Sequence, residues 1–286
     1  MLVILGWVTP SLAENYKDSL GREITLKEKP ERIISLAPSL TEILYFLGLG
    51  DRVVGVTRFS DYPPEATLKP IVGSYISLNV EKIISLSPDL VIGTVDGNKP
   101  GVVSLLEQAG IEIFIVNPRN VRQVIDTIAT LGRVCGLFER AETLSGKLNK
   151  RVDHILKKIG PMRRPLVFLQ INVKPIMTIN RHTFHHDLIR LAGGRNMTED
   201  EPFNYPRISL EEVISRKPNV IIISSMERGG SFERARMEWY KWKSIPAVKN
   251  GQVHLINSDL IDRPSPRIIK GLEVMAKIIH PEAKWE

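Results

Sequence analysis

Three histidines that lie close together, His182, His185 and His186, are the first side chains in this sequence that could perform chemistry. Imidazole nitrogens bind transition metals, and a spacing of three residues brings His182 and His185 to one side of a helical start. All six histidines lie at position 154 or later, so the first half of the chain could add only carboxylates to a metal site. Two interpretations stay open: a polar beginning of a helix, or an axial bond from His182 or His185 to a metal that a bound ligand carries.

Two glutamates, Glu81 and Glu211, occupy the same place in two similar segments. The segment NVEKIISLSPDLVIGT from Asn79 aligns without gaps on SLEEVISRKPNVIIIS from Ser209. Each glutamate is the second residue of a predicted helix whose cap is Asn79 or Ser209, where a carboxylate stabilises the helix by ~0.3–1 kcal/mol. Helix stabilisation explains each glutamate singly, and their equivalent placement in two halves adds a docking role as the alternative.

The common catalytic motifs are absent from the sequence. There is no GxSxG elbow, no P-loop and no HExxH, and Gly48-Leu49-Gly50 follows a predicted helix, the reverse of a phosphate-binding order. The single cysteine, Cys135, excludes an internal disulfide and a CxxC metal site. We therefore predict a protein that is not an enzyme and has no intrinsic cofactor. The alternative, a metal-dependent enzyme, would need acidic side chains that converge on His182 and His185.

The composition is that of a globular protein. The chain has 286 residues, 43% of them hydrophobic and 25% charged, which is long enough for two domains. The net charge is +7, but the longest basic cluster, residues 157–164, is short and interrupted by Gly160-Pro161. A nucleic-acid-binding protein usually concentrates its charge on one face or arm. We therefore expect no nucleic-acid partner.

The first 13 residues, MLVILGWVTPSLA, are uncharged, mostly apolar and too short to span a bilayer. Ser11-Leu12-Ala13 places small residues where a signal peptidase reads, which predicts a signal-peptide remnant over residues 1–13. The basic first region of a signal peptide is missing, and a buried N-terminal strand is the alternative. No later segment reaches 18 apolar residues. An export signal before a soluble body indicates the periplasm.

Short apolar runs and helical patterns alternate along both halves of the chain. Such alternation predicts an α/β fold with mainly parallel sheets covered by helices. The predicted strands are Ile33–Leu36, Val53–Val56, Leu90–Ile92, Ile111–Val116, Leu166–Gln170, Val220–Ser224 and Val253–Ile256. The predicted helices are Leu40–Leu47, Val80–Leu86, Val102–Gln108, Val121–Leu131, Phe184–Leu191, Leu210–Ser215 and Pro266–Ile279.

A longer helical pattern separates the two halves. From Phe138 to Ile159 the apolar residues recur in steps of three and four, and Gly160-Pro161 ends the pattern. We predict an N-terminal lobe over residues 14–137, a connecting helix over 138–160 and a C-terminal lobe over 161–286. Two similar lobes joined by a single long helix would leave a cleft for a ligand at the carboxyl ends of the strands.

From about Tyr16 to Pro281 the sequence resembles the periplasmic substrate-binding proteins of iron-siderophore and cobalamin ABC importers. The opening phrase is KDSLGREITLKEKPERIISLAPSLTEILYFLG from Lys17. Within this family, the sequence resembles the cobalamin-binding branch more than the others. The segments that show this are SDYPPEA from Ser60, LNVEKIISLSPDLVIG from Leu78 and SDLIDRPSPRII from Ser258. The resemblance implies two α/β lobes bridged by one long helix, which agrees with the pattern of elements.

The resemblance also implies which residues bind. Aromatic contacts to a corrin fall on Phe59, Tyr75 and Tyr205, and polar contacts on Asp259 and Arg263. Flat rings suit a large macrocycle because they bury area while losing little rotamer freedom. It further implies that Glu81 and Glu211 pair with arginines of the membrane permease.

The aromatic pattern departs from the cobalamin binder in ways that bear on the ligand. That protein has tryptophan where this chain has Tyr75, Thr94 and Tyr205, and tyrosine where it has Phe59. The predicted function is capture of a metal-bearing chelate, cobalamin or another corrinoid, by a monomer that delivers it to an inner-membrane permease. A ferric siderophore or haem on the same scaffold is the alternative.

Overall fold

The computed structural model describes residues 14–224 and 231–285, with no account of the side chains at 231 and 232. Its contacts divide these residues into two compact units: residues 14–117 with 130–141, and residues 118–129 with 142–285. The predicted signal-peptide remnant, residues 1–13, lies outside the described residues. None of the described helices combines the length and the apolar character that crossing a membrane requires.

The first unit contains an antiparallel hairpin and a four-stranded parallel sheet. Its strands are β1 (Glu14–Lys17), β2 (Glu23–Leu26), β3 (Ile33–Ser35), β4 (Val53–Val56), β5 (Leu90–Thr94) and β6 (Ile113–Val116). Its helices are α1 (Pro38–Phe46), α2 (Val80–Ser85) and α3 (Pro100–Gln108), with 3₁₀ turns at Gly50–Arg52 and Pro64–Leu68. The sheet order is β4-β3-β5-β6, and every residue of β3, β5 and β6 is buried. Burial on both faces explains why these strands are continuous apolar runs.

Two helices belong partly to each unit: α4 (Val121–Val134) and α5 (Phe138–Ile159). The bounds of α5 are those that the apolar periodicity predicts. Within the first unit, a Cβ at Gly132 would lie 2.1 Å from Cβ of Ala141, so a glycine is needed where α4 and α5 approach. In the second unit Ser145 Oγ donates to the carbonyl of Ile125, 3.3 Å away.

The second unit repeats the sheet of the first. Its strands are β7 (Leu166–Gln170), β8 (Arg195–Asn196), β9 (Val220–Ile223) and β10 (Val253–Leu255), all parallel in the order β10-β9-β7-β8. Its helices are α6 (Phe184–Leu191), α7 (Leu210–Arg216), α8 (Ser231–Trp239), α9 (Pro246–Lys249), α10 (Ser258–Ile261) and α11 (Ile268–Ile279). Reversed, this order matches the first sheet strand for strand. The predicted α/β fold with two parallel-sheet lobes is therefore confirmed.

The internal sequence repeat corresponds to a structural repeat. Helices α2 and α7 lead into β5 and β9, which occupy the same place in their sheets. Ser87 and Lys217, at aligned positions, are the non-glycine residues with positive φ in the described ranges, at 45° and 50°. Each lies just before the proline that separates helix from strand. Both copies therefore end the helix with a residue in the left-handed conformation at the same position of the repeat.

Some elements were not predicted from the sequence. The hairpin of β1 and β2 is mostly exposed, and its polar residues lack the apolar run that marks a buried strand. Helix α8 has the sequence SFERARMEW, in which few apolar residues indicate a buried face. Several ends also differ: α4 extends to Val134, and α11 begins at Ile268 instead of Pro266.

Candidate functional site

In the first unit, Phe59 lies on the loop that leaves the carboxyl end of β4. Its ring is 52% exposed, while the residues on which the loop rests are buried. On either side of it in the chain lie Thr57 and Ser60. Thr41 Oγ1 lies 2.8 Å from Ser35 Oγ and 3.0 Å from Ser60 Oγ, and Thr57 Oγ1 lies 3.1 Å from Ser60 Oγ. These buried hydroxyls bond one another and so satisfy groups that would otherwise destabilise the core. The loop that carries Phe59 is therefore anchored on both sides of the ring.

Tyr75 lies on the neighbouring loop and reaches the end of β5. The loop is joined to the Phe59 loop by a hydrogen bond from Arg58 N to the carbonyl of Gly73, 2.9 Å long. The Tyr75 hydroxyl lies 3.2 Å from Thr94 Oγ1, the last residue of β5. The ring covers Gly97 so closely that a Cβ there would lie 2.1 Å from Tyr75 Cε2. Phe59 and Tyr75 thus lie on joined loops at the carboxyl edge of one sheet, where open α/β sheets bind ligands.

In the second unit, Tyr205 lies on a short antiparallel ladder formed by residues 176–180 and 204–208. Thr178 N donates to the carbonyl of Pro206 and Asn180 N to that of Asn204, each over 3.0 Å, and Met177 pairs with Arg207. The side chains at 205 and 207 are exposed, whereas those at 206 and 208 are buried. This alternation is the one expected of an extended strand with one face in the core. The ladder therefore presents Tyr205 and Arg207 outward, and Phe203, 72% exposed, lies in the bend just before it.

A buried group of three polar side chains, His185, Asp262 and Ser224, connects the ladder to the segment after β10. His185, in the first turn of α6, is 1% exposed, and its ring meets that of Tyr205 edge-on with centroids 6.4 Å apart. His185 Nε2 lies 3.0 Å from Asp262 Oδ1. Asp262 Oδ2 accepts a second bond from Ser224 Oγ over 3.1 Å. Ser224 follows the carboxyl end of β9, so three segments of the unit meet at one carboxylate.

Asp259 and Arg263 lie immediately beside this group. Asp259 is in α10, where Asn257 Oδ1 caps the helix by accepting from Asp259 N over 2.8 Å. A guanidinium nitrogen of Arg263 lies 3.2 Å from Asp259 Oδ1, and its side chain is 13% exposed against 37% for Asp259. The second unit therefore brings Tyr205, Asp259 and Arg263 around one buried centre. Their role in ligand binding stays a prediction.

The two repeat glutamates are exposed near capped helix ends. Asn79 Oδ1 accepts from Lys82 N over 2.8 Å, and Ser209 Oγ accepts from Glu212 N over 3.1 Å, so both predicted caps are present. Glu81 and Glu211 each occupy the second helical position and are exposed to solvent. The geometry leaves both carboxylates accessible to a partner, and their docking role stays a prediction.

The histidine cluster has a different arrangement from the one that its spacing indicates. Helix α6 begins at Phe184 with Thr183 as its cap, so His182 precedes the helix and is exposed, whereas His185 is buried. Burial lowers the pKa of His186 and outweighs the opposite effect of nearby carboxylates. In the part of the chain that the structure describes, no group of three or more His, Cys, Asp or Glu side chains could hold a metal ion.

Sequence reasoning missed several residues of this region. Asp262 lies in the phrase SDLIDRPSPRII but was not singled out, and no motif marks Ser224. The bonds of Asp262 join it to His185, 77 residues away, and to Ser224, 38 residues away. Phe203 could have been noticed as a second aromatic residue close to Tyr205 in the sequence EPFNYP.

Comparison with known proteins agrees with the family resemblance of the sequence motifs. A family model for periplasmic binding proteins matches residues 33–260. The vitamin B12-binding protein of Vibrio cholerae serotype O1 is 33% identical over 244 residues, covering 85% of this chain and 87% of that protein. The crystal structure of the periplasmic vitamin B12 binding protein of Vibrio cholerae matches with a TM-score of 0.81 at 32% identity, covering 90% of this chain and 99% of that one.

A haem-binding relative shares the fold as well. The periplasmic heme-binding protein of Roseiflexus sp. RS-1, in its apo form, matches with a TM-score of 0.78 at 25% identity, covering 89% of this chain and 99% of that one. The family model spans most of the chain, and the similarity to the Vibrio cholerae protein covers both units. This chain therefore belongs to the family of periplasmic binding proteins.

Proposed function

We propose that this protein binds a metal-bearing chelate, in the first place cobalamin or another corrinoid, and delivers it to an ABC permease at the inner membrane. The observation that carries the proposal is the 33% identity, across 85% of the chain, to a protein named for vitamin B12 binding. In this role the protein is a receptor in the periplasm and not an enzyme, and the chelate is its cargo and not a resident cofactor.

The chemistry of the candidate residues suits a large, partly apolar ligand with polar substituents. Phe59 and Tyr75 lie at the carboxyl edge of the first sheet, and Tyr205 lies on the ladder of the second unit. All three residues are half-buried or exposed. Flat rings of this kind contribute apolar area, and the Asp259–Arg263 pair offers an acceptor and donors for amide groups. Binding of a corrin needs this combination of ring faces and oriented polar groups.

A ferric siderophore or haem is the second candidate ligand. Two observations support it. This chain is 25% identical to a haem-binding protein. Thr94, whose hydroxyl lies at hydrogen-bonding distance from that of Tyr75, stands where the resemblance places a tryptophan of the cobalamin binder. Arg207, exposed beside Tyr205 on the ladder, would suit a carboxylate on such a ligand.

The delivery step rests on Glu81 and Glu211. Exposed carboxylates at the same place in two structural repeats offer two equivalent contacts for basic residues of a permease with related halves. Paired charges of this kind fix orientation and accelerate encounter more than they add affinity. We propose that a single copy of the chain docks in this way, without dimer formation.

Absorbance titration distinguishes the candidate ligands. Purified apoprotein is titrated separately with cyanocobalamin, haem and a ferric hydroxamate, followed by competition between any two that bind. We expect cyanocobalamin to bind in the micromolar range or tighter and to displace the others. Displacement of cobalamin by haem would favour the second candidate, and no binding of any chelate would refute the proposal.

A further inference from the structure

The carboxylate of Asp262 receives one hydrogen bond at each oxygen from buried donors. His185 Nε2 lies 3.0 Å from Oδ1, and Ser224 Oγ lies 3.1 Å from Oδ2. The side chains of His185 and Asp262 are 1% and 7% exposed. A carboxylate removed from water in this way is stable only when its oxygens are bonded, so the two donors fix its position.

The position of Asp262 in turn fixes the segment that carries Arg263. Asp262 is the C-cap of α10, and its N–H donates to the carbonyl of Ser258 over 2.8 Å. Arg263 is the next residue, and its guanidinium reaches back to Asp259 on the same short helix. A helix of four residues has little stability of its own, so its orientation depends on such tertiary contacts.

The same imidazole also contacts the aromatic part of the candidate site. The His185 ring stacks on that of Phe184, with 4.1 Å between centroids, and meets that of Tyr205 at an interplanar angle of 86°, with 6.4 Å between centroids. One buried side chain therefore contacts both Tyr205 and the carboxylate that precedes Arg263.

We propose that His185, Asp262 and Ser224 are positioning residues that hold Tyr205 and Arg263 in the geometry that the ligand requires. The inference rests on the proposed function and adds three residues to it. Because His185 and Asp262 are buried, they act through Tyr205 and Arg263 and do not contact the ligand themselves. Side chains already held in their bound orientation lose less freedom on binding, so the group raises affinity without adding a contact.

The choice of variants follows from the hydrogen bonds. His185→Phe keeps a ring of similar shape but removes the donor to Asp262, whereas His185→Gln places an amide N–H where Nε2 was. Ser224→Ala removes the other donor with a minimal change of volume. His280→Phe is the matched control: His280 is also 1% exposed in the second unit, but it bonds the carbonyl of Gly193 and the Glu282 carboxylate instead.

The measurement is the affinity for cyanocobalamin, with the thermal midpoint of each variant recorded beside it. We expect His185→Phe and Ser224→Ala to weaken binding by about tenfold and about threefold, and His185→Gln to restore most of the loss. His280→Phe should lower the thermal midpoint and leave the affinity unchanged. Equal loss of affinity in His280→Phe, or wild-type affinity in both His185→Phe and Ser224→Ala, would overturn the inference.

A double-mutant cycle separates positioning from a general loss of stability. If His185 acts partly through Arg263, the loss caused by His185→Phe should shrink by at least half, on a logarithmic scale, when Arg263→Ala is already present. Full additivity contradicts the inference even when both single variants bind weakly. If Arg263→Ala alone binds like the wild type, the proposed site itself is wrong, and the inference falls with it. Should His185→Phe not fold, the cycle with Ser224→Ala decides in the same way.

Discussion

The hydroxyl of Tyr75 lies 3.2 Å from Oγ1 of Thr94, at the carboxyl end of β5. The Tyr75 ring rests on the backbone of Gly97, where a Cβ would come within 2.1 Å of the ring. The orientation of a candidate ligand-binding ring is thus set by a hydrogen bond at one end and by a residue without a side chain at its face.

Substitution of Gly97 tests whether this orientation matters. Gly97→Ala must displace the Tyr75 ring, so we expect binding of cyanocobalamin to weaken by about tenfold, or ~1.4 kcal/mol, in a calorimetric titration. Gly101→Ala is the control, because a Cβ at Gly101 has no atom within 4 Å. If the two variants bind equally well, Tyr75 does not contact the ligand in the orientation seen here.

Charge reversal at the two repeat glutamates tests docking. Glu81→Lys combined with Glu211→Lys should abolish ligand uptake by cells that contain the permease, because the partner's basic residues would then be repelled. Ligand affinity should not change, since both carboxylates are exposed at helix starts. Uptake of radiolabelled cobalamin and a titration of the purified variant measure the two effects.

A control for charge alone is available on exposed parts of both units. Glu28→Lys combined with Glu238→Lys changes the net charge by the same amount at exposed sites outside the repeat. This pair should leave uptake close to the wild-type rate. Equal loss of uptake in both double variants would show that overall charge, and not the position of the glutamates, is responsible.

Phe203 should contribute to binding although no motif marks it. Its ring is 72% exposed, so Phe203→Ser removes little buried area and should leave the free energy of unfolding within ~0.5 kcal/mol of the wild type. We expect affinity for the chelate to fall by about fivefold, because a ring beside Tyr205 is lost. Leu68→Ser, at a residue 83% exposed in the first unit, is the comparison. Wild-type affinity of Phe203→Ser would place the ligand away from this bend.

The thiol of the single cysteine should be unreactive in the folded protein. Cys135 is fully buried, and removal from water raises its pKa to about 12, although Arg52 opposes the shift. Iodoacetamide at pH 8 should therefore leave the native thiol unmodified and alkylate it after denaturation, as mass spectrometry would detect. Rapid alkylation of the native protein would contradict the burial of this residue.

The same pKa predicts a pH dependence of stability. The unfolded thiol loses its proton near pH 8.5, whereas the folded one keeps it until about pH 12, so folding stability from this group is lost as the pH rises between these values. Urea unfolding at pH 7 and pH 10 should show a smaller decrease for Cys135→Ala than for the wild type. Equal decreases would mean that the thiol is not the titrating group.

Local sequence patterns predicted most of the longer strands and helices, but not the hairpin of β1 and β2, β8, α8, α9 or α10. The bounds of Val53–Val56, Phe138–Ile159, Leu166–Gln170 and Phe184–Leu191 follow from runs and periodicities that lie within each segment. The capped repeat starting at Asn79 and Ser209 was also visible, because its caps, prolines and apolar strand are all local signals.

The candidate site could be predicted only where single residues carry a signal. The His182–His185 spacing indicated a common helical face, but Thr183 caps the helix between them and leaves only His185 inside it. The bond of His185 to Asp262 joins residues 77 positions apart, which no periodicity encodes. Pairing of that kind follows from the order of β10, β9 and β7 in the sheet, and therefore from the tertiary fold.

Equilibrium dialysis against cyanocobalamin measures directly whether this protein binds a corrinoid. With the protein at about ten micromolar, we expect cobalamin to accumulate in the protein chamber with a Kd of about 1 μM or below. We also expect Tyr75→Ala, Tyr205→Ala and Arg263→Ala each to reduce this accumulation. Equal cobalamin concentrations on both sides of the membrane, with folded wild-type protein, would contradict the assignment of a corrinoid ligand.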